Sequence, residues 1–293
     1  MWPALNMHNH ITIFFPPFKL SFKSPSPGII DKLSKLFAGY ECSQDPDFTV
    51  LIIPSTEMPS PITQIQNNWV SLQTDETNFS IGSHIIDGSI NLAERKVTIA
   101  IRHDFFNFPM AEVFQGFLQR LYHSICSYMN IDSYFIHACG VVKEDIGYLF
   151  IGTHQSGKTT IGKSSAGVVI HDDQILISFD NCKLFINSPP LAARDNLRHP
   201  LKTPCAIERI FVIKKADNFF VKRLNATDAV TNLYQELITP ATLTADNKSN
   251  EKMKKSAMCL RIIKTVPVYE LYFDKEGKFW NDLRSARWSE IGE

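Results

Sequence analysis

The first hundred residues alternate between short apolar and polar runs, a pattern typical of β-strands. Prolines separate these runs, and Pro54 is expected to end one of them. One stretch, Ile29–Phe37, has the three- and four-residue spacing of a short amphipathic helix. The pattern therefore predicts a strand-rich N-terminal region. Its clearest strands are His10–Phe15, Lys19–Phe22, Phe48–Ile53 and Lys96–Ile101.

A change of period marks the next element. Between Ala111 and Met129 apolar side chains recur at steps of three and four residues, which predicts an amphipathic helix packed against a sheet. We place a domain boundary just before this helix, near residue 110. Residues 1–110 are then expected to form a strand-rich α+β domain, and residues 111–293 a second domain.

From residue 133 onwards predicted strands and helices alternate, so the fold class of this part is predicted as α/β. Tyr134–Val142 is predicted as one continuous strand. Gly147–Ile151 is a second strand, apolar almost throughout, as expected for burial on both faces. Near the C-terminus, residues 250–264 interleave basic and apolar side chains. That pattern fits a packed helix with a solvated basic face better than a helix on a membrane surface.

Composition limits the classes of function. The 293 residues are 44% hydrophobic and carry 30 Lys and Arg against 30 Asp and Glu, which gives a net charge of zero. Such a chain folds around a core and offers no broad basic surface for nucleic acid. No apolar run approaches the ~20 residues of a membrane helix, and the scattered cysteines are typical of a reducing compartment. We expect a cytoplasmic protein without nucleic-acid or membrane partners, and the sequence leaves homo-oligomerisation open.

The strongest motif directly follows the predicted strand Gly147–Ile151. Residues 152–159 match the phosphate-loop pattern G-x-x-x-x-G-K-[ST], and Thr160–Lys163 can continue as a helix. Glycines let the backbone wrap a phosphate, Lys158 supplies a positive charge, and Thr159 supplies a hydroxyl for Mg²⁺. A glycine-rich turn with a solvated lysine is the alternative interpretation. The residues expected to contact a nucleoside triphosphate are Gly152, Thr153, His154, Gln155, Ser156, Gly157, Lys158, Thr159 and Thr160.

Two adjacent carboxylates follow the next apolar run, at Asp172 and Asp173. An acid at a strand end beside a phosphate loop is suited to holding magnesium, and a second acid can take a proton from an attacking hydroxyl. The alternative is an Asp-rich turn that closes a hairpin. His137, His154 and His171 stand near these motifs, but on residue chemistry alone each is as well explained as a structural histidine.

Together, Ile136-His137-Ala138, the 152–159 motif and Asp172-Asp173 resemble the motif set of HPr kinase/phosphorylase. The resemblance is closer to the looser group of HPr kinase-related proteins, because Ala192–Pro200 lacks the glycine-rich segment of HPr kinase/phosphorylase itself. It covers about residues 112–285. Three further segments resemble later strands of the family: Asn187–Leu191, Ile207–Ile213 and Val266–Leu271.

The resemblance implies a mixed-sheet phosphate-loop kinase core similar to that of phosphoenolpyruvate carboxykinase. It implies ATP- and Mg²⁺-dependent transfer of the γ-phosphoryl group to a hydroxyl, in particular serine, of a protein, peptide or small molecule. By position, Lys158 and the loop backbone would bind phosphates, and Thr159 and Asp172 would hold Mg²⁺. Asp173 would be the catalytic base, with His137 beside it in the active site.

Other functions stay open at this point. A non-catalytic ATP-binding sensor or assembly module on the same fold is the main alternative, because the glycine-rich segment is absent. A GTPase is disfavoured, since Asn247–Asn250 lacks the final Asp of a guanine-specificity motif. Arg194, Arg198 and Lys202 are candidates to hold an anionic substrate, with a solvated basic loop as the alternative.

Overall fold

The chain divides into two compact units: the first comprises residues 1–131 and the short later segments 190–192 and 240–249, and the second comprises the remainder. The architecture is mixed α/β and rich in strands, with two mixed sheets, as the coarse fold class predicted. The domain boundary near residue 110 stays a prediction; here the helix α2 (Met110–Met129) is grouped with the first unit. The computed structural model describes residues 9–55, 70–83, 85–102, 110–153, 155–193, 197–239, 245–273, 279–280 and 283.

The first unit is built on a seven-stranded sheet in the order β1-β2-β3-β7-β6-β5-β4. The β2–β3 and β3–β7 pairs are parallel, and the other neighbours are antiparallel. The strands are β1 (His10–Phe15), β2 (Phe18–Lys23), β3 (Phe48–Ser55), β4 (Val70–Gln73), β5 (Asn78–Gly82), β6 (Ile86–Asn91) and β7 (Lys96–Arg102).

Two helices cover the core of this unit, α1 (Pro27–Leu36) and α2. Aromatic side chains dominate the contact: Phe22 of β2 packs on Phe37 and on Phe114 of α2, with ring centroids 5.2 and 6.3 Å apart. These contacts bury the apolar stripe of α2, as its periodicity predicted.

The prediction that Pro54 ends a strand is wrong. β3 continues through Pro54 to Ser55, and Pro54 lies opposite Ile101 of β7. On the other side of β3 the pairing with β2 ends at Leu51. Proline is tolerated there because its missing N–H leaves no neighbouring strand without a donor.

The second unit contains ten strands, eight of them along the path β11-β9-β10-β14-β13-β12-β8-β16; β17 pairs with β14, and β15 pairs with β17. The strands are β8 (Ser133–Ile136), β9 (Ala138–Lys143), β10 (Ile146–Ile151), β11 (Val168–His171), β12 (Ile175–Asp180), β13 (Lys183–Asn187), β14 (Cys205–Lys215), β15 (Phe220–Arg223), β16 (Leu237–Ile238) and β17 (Val268–Phe273).

At two places in this sheet, between β8 and β9 and between β11 and β12, the chain changes its strand partners. These two strand breaks lie at the same level of the sheet. β8 and β9 are separated by His137 alone, yet β8 pairs with β12 and β16 whereas β9 pairs with β10 and β11. In the same way, residues 172–174 carry the chain from β11 to β12. The prediction of one continuous strand over Tyr134–Val142 is therefore wrong, because the two halves of that run find different partners.

Three helices complete the second unit: α3 (Lys158–Lys163), α4 (Ala226–Glu236) and α5 (Ala245–Thr265). Met258 and Ile262 of α5 are buried in an apolar core of this unit, together with Leu233 of α4. This burial fits the packed helix predicted over residues 250–264. Within the described residues, no helix has both the length and the apolar character needed to cross a membrane.

Candidate functional site

Strand register brings the 152–159 loop to the break at His137. β9 lies between β10 and β11 and runs antiparallel to both, so the start of β9 lies beside the ends of its two neighbours. Ile151 pairs with Ala138, which places Gly152 next to His137 in the register. The end of β11 leads directly into Asp172 and Asp173. The motifs that the sequence separates by up to 36 residues therefore meet at the C-terminal ends of β10 and β11, beside the start of β9.

The 152–159 loop depends on a glycine immediately before α3. Gly157 has a φ of 113°, in the region that favours glycine, and a Cβ there would lie 2.7 Å from Cζ of Phe273. The exposed Gln155 also has a positive φ, of 64°. Of the predicted contact residues, Thr153 is exposed and Ser156, Thr159 and Thr160 are half-buried, whereas His154 lies outside the described residues.

Lys158 folds back over the loop that precedes it. Its side chain is buried, and Nζ donates to the carbonyl oxygens of Gly152, at 2.5 Å, and Thr153, at 3.3 Å. A buried ammonium group requires such acceptors to offset its loss of hydration. The lysine of this motif is therefore not solvated, contrary to that part of the alternative interpretation.

His137 and Asp173 form the closest ionisable pair of the site. His137 Nε2 and Asp173 Oδ1 are 2.7 Å apart. The backbone N–H of Ala138 donates to the carbonyl of Asp173 at 3.1 Å, which ties the two strand breaks together. The side chains are 27% and 17% exposed, so an incoming molecule can reach this pair.

Glu236 is a third member of the cluster, and sequence analysis missed it. His137 Nδ1 lies 3.1 Å from Glu236 Oε2, and the His137 backbone N–H donates to the Glu236 carbonyl at 2.8 Å. Glu236 stands 99 positions from His137, in a segment without any motif. In the structure Glu236 is the last residue of α4, where a negative charge opposes the helix dipole, but the sequence analysis did not predict that helix.

The two carboxylates keep His137 charged near neutral pH. Hydrogen bonds with Asp173, first, and Glu236, second, raise the pKa of His137 to about 9, whereas burial and the charge of Lys158 oppose this shift. With both ring nitrogens bearing protons, Nδ1–H donates to Glu236 and Nε2–H donates to Asp173. The influence of Lys158 on His137 shows that the loop cation and the His137–Asp173 pair share one electrostatic environment.

Asp172 has a different environment from its neighbour. It is buried beside His171, whose Nδ1 accepts hydrogen bonds from the backbone N–H groups of Asp173, at 3.1 Å, and Gln174, at 3.0 Å. The pKa of the buried thiol of Cys139 is raised mainly by burial and also by the charge of Asp172, whereas Lys158 lowers it. The charges of Asp172 and Lys158 therefore both act on this thiol, in opposite directions.

The hairpin interpretation of the Asp pair is wrong, because β11 and β12 do not pair with each other. His171 fits its structural interpretation, since its ring holds the turn after β11 in place. Among the basic candidates, Arg198 forms a backbone bridge with His171 and so runs beside the site. Lys202 is exposed, and Arg194 lies outside the described residues.

The raised pKa of His137 predicts how stability varies with pH. The imidazolium stabilises the folded state fully below the ordinary pKa of 6.5, and this contribution is lost as the pH rises through about 9. Between pH 7 and pH 9 the free energy of unfolding should fall by roughly 1 to 2 kcal/mol more in the wild type than in His137→Gln, allowing for solvent screening. Urea denaturation at each pH measures this difference, and parallel curves for the two proteins would contradict it.

A second prediction concerns the loop conformation. Gly157→Ala should lower the free energy of unfolding by about 1 to 3 kcal/mol, because it combines a positive φ with a contact against the Phe273 ring. Gly28→Ala in α1 is the control: its Cβ would meet no atom within 4 Å, so stability should be unchanged or raised by up to about 1 kcal/mol. Equal effects of the two substitutions would rule out the conformation described for Gly157.

Comparisons with known proteins do not assign this chain to a family. No protein-family model matches the sequence, and no curated protein matches it. Among solved structures, the chain is similar to the Hpr(Ser) kinase/phosphatase from Coxiella burnetii, with a TM-score of 0.31 and 13% sequence identity. That match covers 54% of this chain and 99% of the other. Likeness at this level carries no functional conclusion.

Proposed function

We propose that this protein is an ATP- and Mg²⁺-dependent kinase that transfers the γ-phosphoryl group to a hydroxyl, in particular that of a serine in a protein, peptide or small molecule. One observation supports the proposal: Ile151 pairs with Ala138, so the loop that carries the buried Lys158 begins next to the partly exposed His137–Asp173 pair. Phosphoryl transfer to an alcohol needs these two groups, a cation for the phosphates and a base for the hydroxyl. The proposed core is a mixed-sheet phosphate-loop kinase domain.

Phosphate binding is assigned to the 152–159 loop. The half-buried Ser156 and the backbone N–H groups that lead into α3 would face the phosphate oxygens, with Lys158 supplying the charge. Lys158 now donates to the Gly152 and Thr153 carbonyls, and a bound phosphate would take over part of this hydrogen bonding. The same residues would bind ATP in a non-catalytic sensor, so the loop alone does not define the reaction.

Asp173 is assigned the role of base. The attacking hydroxyl oxygen forms a bond to the γ-phosphorus, the bond to the oxygen that bridges the β- and γ-phosphorus atoms breaks, and ADP leaves. The hydroxyl proton moves to the Asp173 carboxylate, which His137 holds in place through Oδ1. A cationic His137 donates a hydrogen bond to the Asp173 carboxylate, which is the form of that side chain that can accept the proton.

Magnesium fits the residues present. Among the described residues no three His, Cys, Asp or Glu side chains cluster as a protein-only metal cage would require. Mg²⁺ that arrives with a nucleotide needs only one or two protein ligands, because phosphates and waters complete its coordination. The hydroxyl of Thr159 and the carboxylate of Asp172 are ligands of the correct type. When bound, Mg²⁺ would offset negative charge on the phosphates.

Two substitutions test the proposal. Lys158→Ala should weaken binding of a non-hydrolysable ATP analogue by about ten- to a hundredfold, since it removes a charged hydrogen bond. Asp173→Asn should keep that affinity within about threefold but lower label transfer from γ-labelled ATP by about a hundredfold or more. Calorimetry measures the first effect. Label transfer to serine-containing peptides and to a cell lysate measures the second.

Lys163→Ala is the matched control, because Lys163 is an exposed lysine on the same short helix. It should bind the analogue as the wild type does. Undiminished transfer by Asp173→Asn would show that Asp173 is not the base. Tight binding with no transfer to any acceptor by the wild type would instead favour the non-catalytic sensor or assembly module.

A further inference from the structure

Glu236 is an acid in an unfavourable position that the fold nevertheless maintains. It is the last residue of α4, at the negative end of the helix dipole, and its side chain is only 9% exposed. Burial and the helix dipole both disfavour a carboxylate there, so a compensating contact is needed. His137 supplies that contact through Nδ1, at 3.1 Å.

The register explains why both carboxylates reach His137. β8 lies between β12 and β16, and Ile136, its last residue, pairs with Ile175 on one side and Leu237 on the other. One step beyond these pairs, the backbone N–H of His137 bonds to Glu236, and that of Ala138 bonds to Asp173. The segments that precede β12 and β16, on either side of β8, thus bring Asp173 and Glu236 to the same ring, that of His137.

The two contacts are not equivalent. Asp173 is 17% exposed and is the member that a substrate can reach, whereas Glu236 lies deeper and contacts the opposite ring nitrogen. A carboxylate at Nδ1 requires a proton on that nitrogen, and it prevents the ring from turning over. The charged groups that act on the ring are Asp173, Glu236 and Lys158.

We infer that Glu236 is a positioning residue: it holds His137 as an imidazolium whose Nε2–H is directed at Asp173, so that the three side chains form a Glu236–His137–Asp173 relay. The effect on His137 follows from the contacts alone. The effect on catalysis rests on the proposed function, because only a base at Asp173 requires that its neighbour stay charged. Glu236 itself does not contact the reacting atoms.

Glu236→Gln tests the inference, because glutamine keeps the size and hydrogen bonding of the side chain and removes its charge. The measurement is an NMR titration of the His137 ring in the full-length protein without nucleotide. In the wild type the ring should titrate near pH 9; in Glu236→Gln it should titrate at least one pH unit lower, closer to the ordinary 6.5. Glu208→Gln, which changes an exposed acid in the same unit, should titrate as the wild type does.

The second readout is the pH profile of label transfer from γ-labelled ATP. The alkaline limb should move to lower pH in Glu236→Gln by the same interval as the His137 titration. Transfer at pH 8 should fall by about two- to tenfold for a shift of one to two pH units, whereas transfer at pH 6 and affinity for the ATP analogue should stay within about twofold. A residue that only supports the end of α4 would move neither the titration nor the limb.

The two readouts separate the inference from the proposed function. An unchanged His137 titration in a folded Glu236→Gln protein overturns the role of Glu236, whatever the activity. A lowered titration combined with no transfer by the wild type at any pH supports the control of His137 by Glu236 and refutes the kinase. A lowered titration with an unmoved alkaline limb overturns the relay as a catalytic device.

Discussion

The site depends on one cation held between two acids. Removing the carboxylates of Asp173 and Glu236 from water costs free energy that only a correctly placed partner can offset, and the imidazolium of His137 offers one N–H to each. Loss of the ring would leave two poorly hydrated negative charges close together. The two strand breaks and the end of α4, which carry these residues, are therefore constrained to lie at the same level.

That constraint connects the sheet to the loop. Because only His137 separates β8 from β9, neither strand can move along its partners without moving the ring. A shift in the register of either strand would therefore separate His137 from Asp173 or Glu236. β9 also pairs with β10, the strand that leads into Gly152 and Lys158. The cluster formed by the two strand breaks and the end of α4 therefore lies beside the loop that contains Lys158.

Local patterns predicted much of this. The strands of the first unit, the helix over 111–129 and the loop before Lys158 were recognisable because each depends on neighbouring residues. The division of Tyr134–Val142 was not predictable in that way, because strands distant in sequence decide where each half pairs. Glu236 was hidden for the same reason: its partner is 99 positions away, and only the register of β16 brings them together.

The Asp pair shows how much of the chemistry comes from position and not from residue type. In sequence, Asp172 and Asp173 are equivalent. In the fold, Asp172 is buried beside His171, and Asp173 remains partly exposed beside a cationic ring. His171 Nδ1 accepts hydrogen bonds from two backbone N–H groups, whereas both ring nitrogens of His137 face carboxylates. Two carboxylates of one type thus have different surroundings, and the proposed function assigns the buried one to the metal cation and the partly exposed one to the proton.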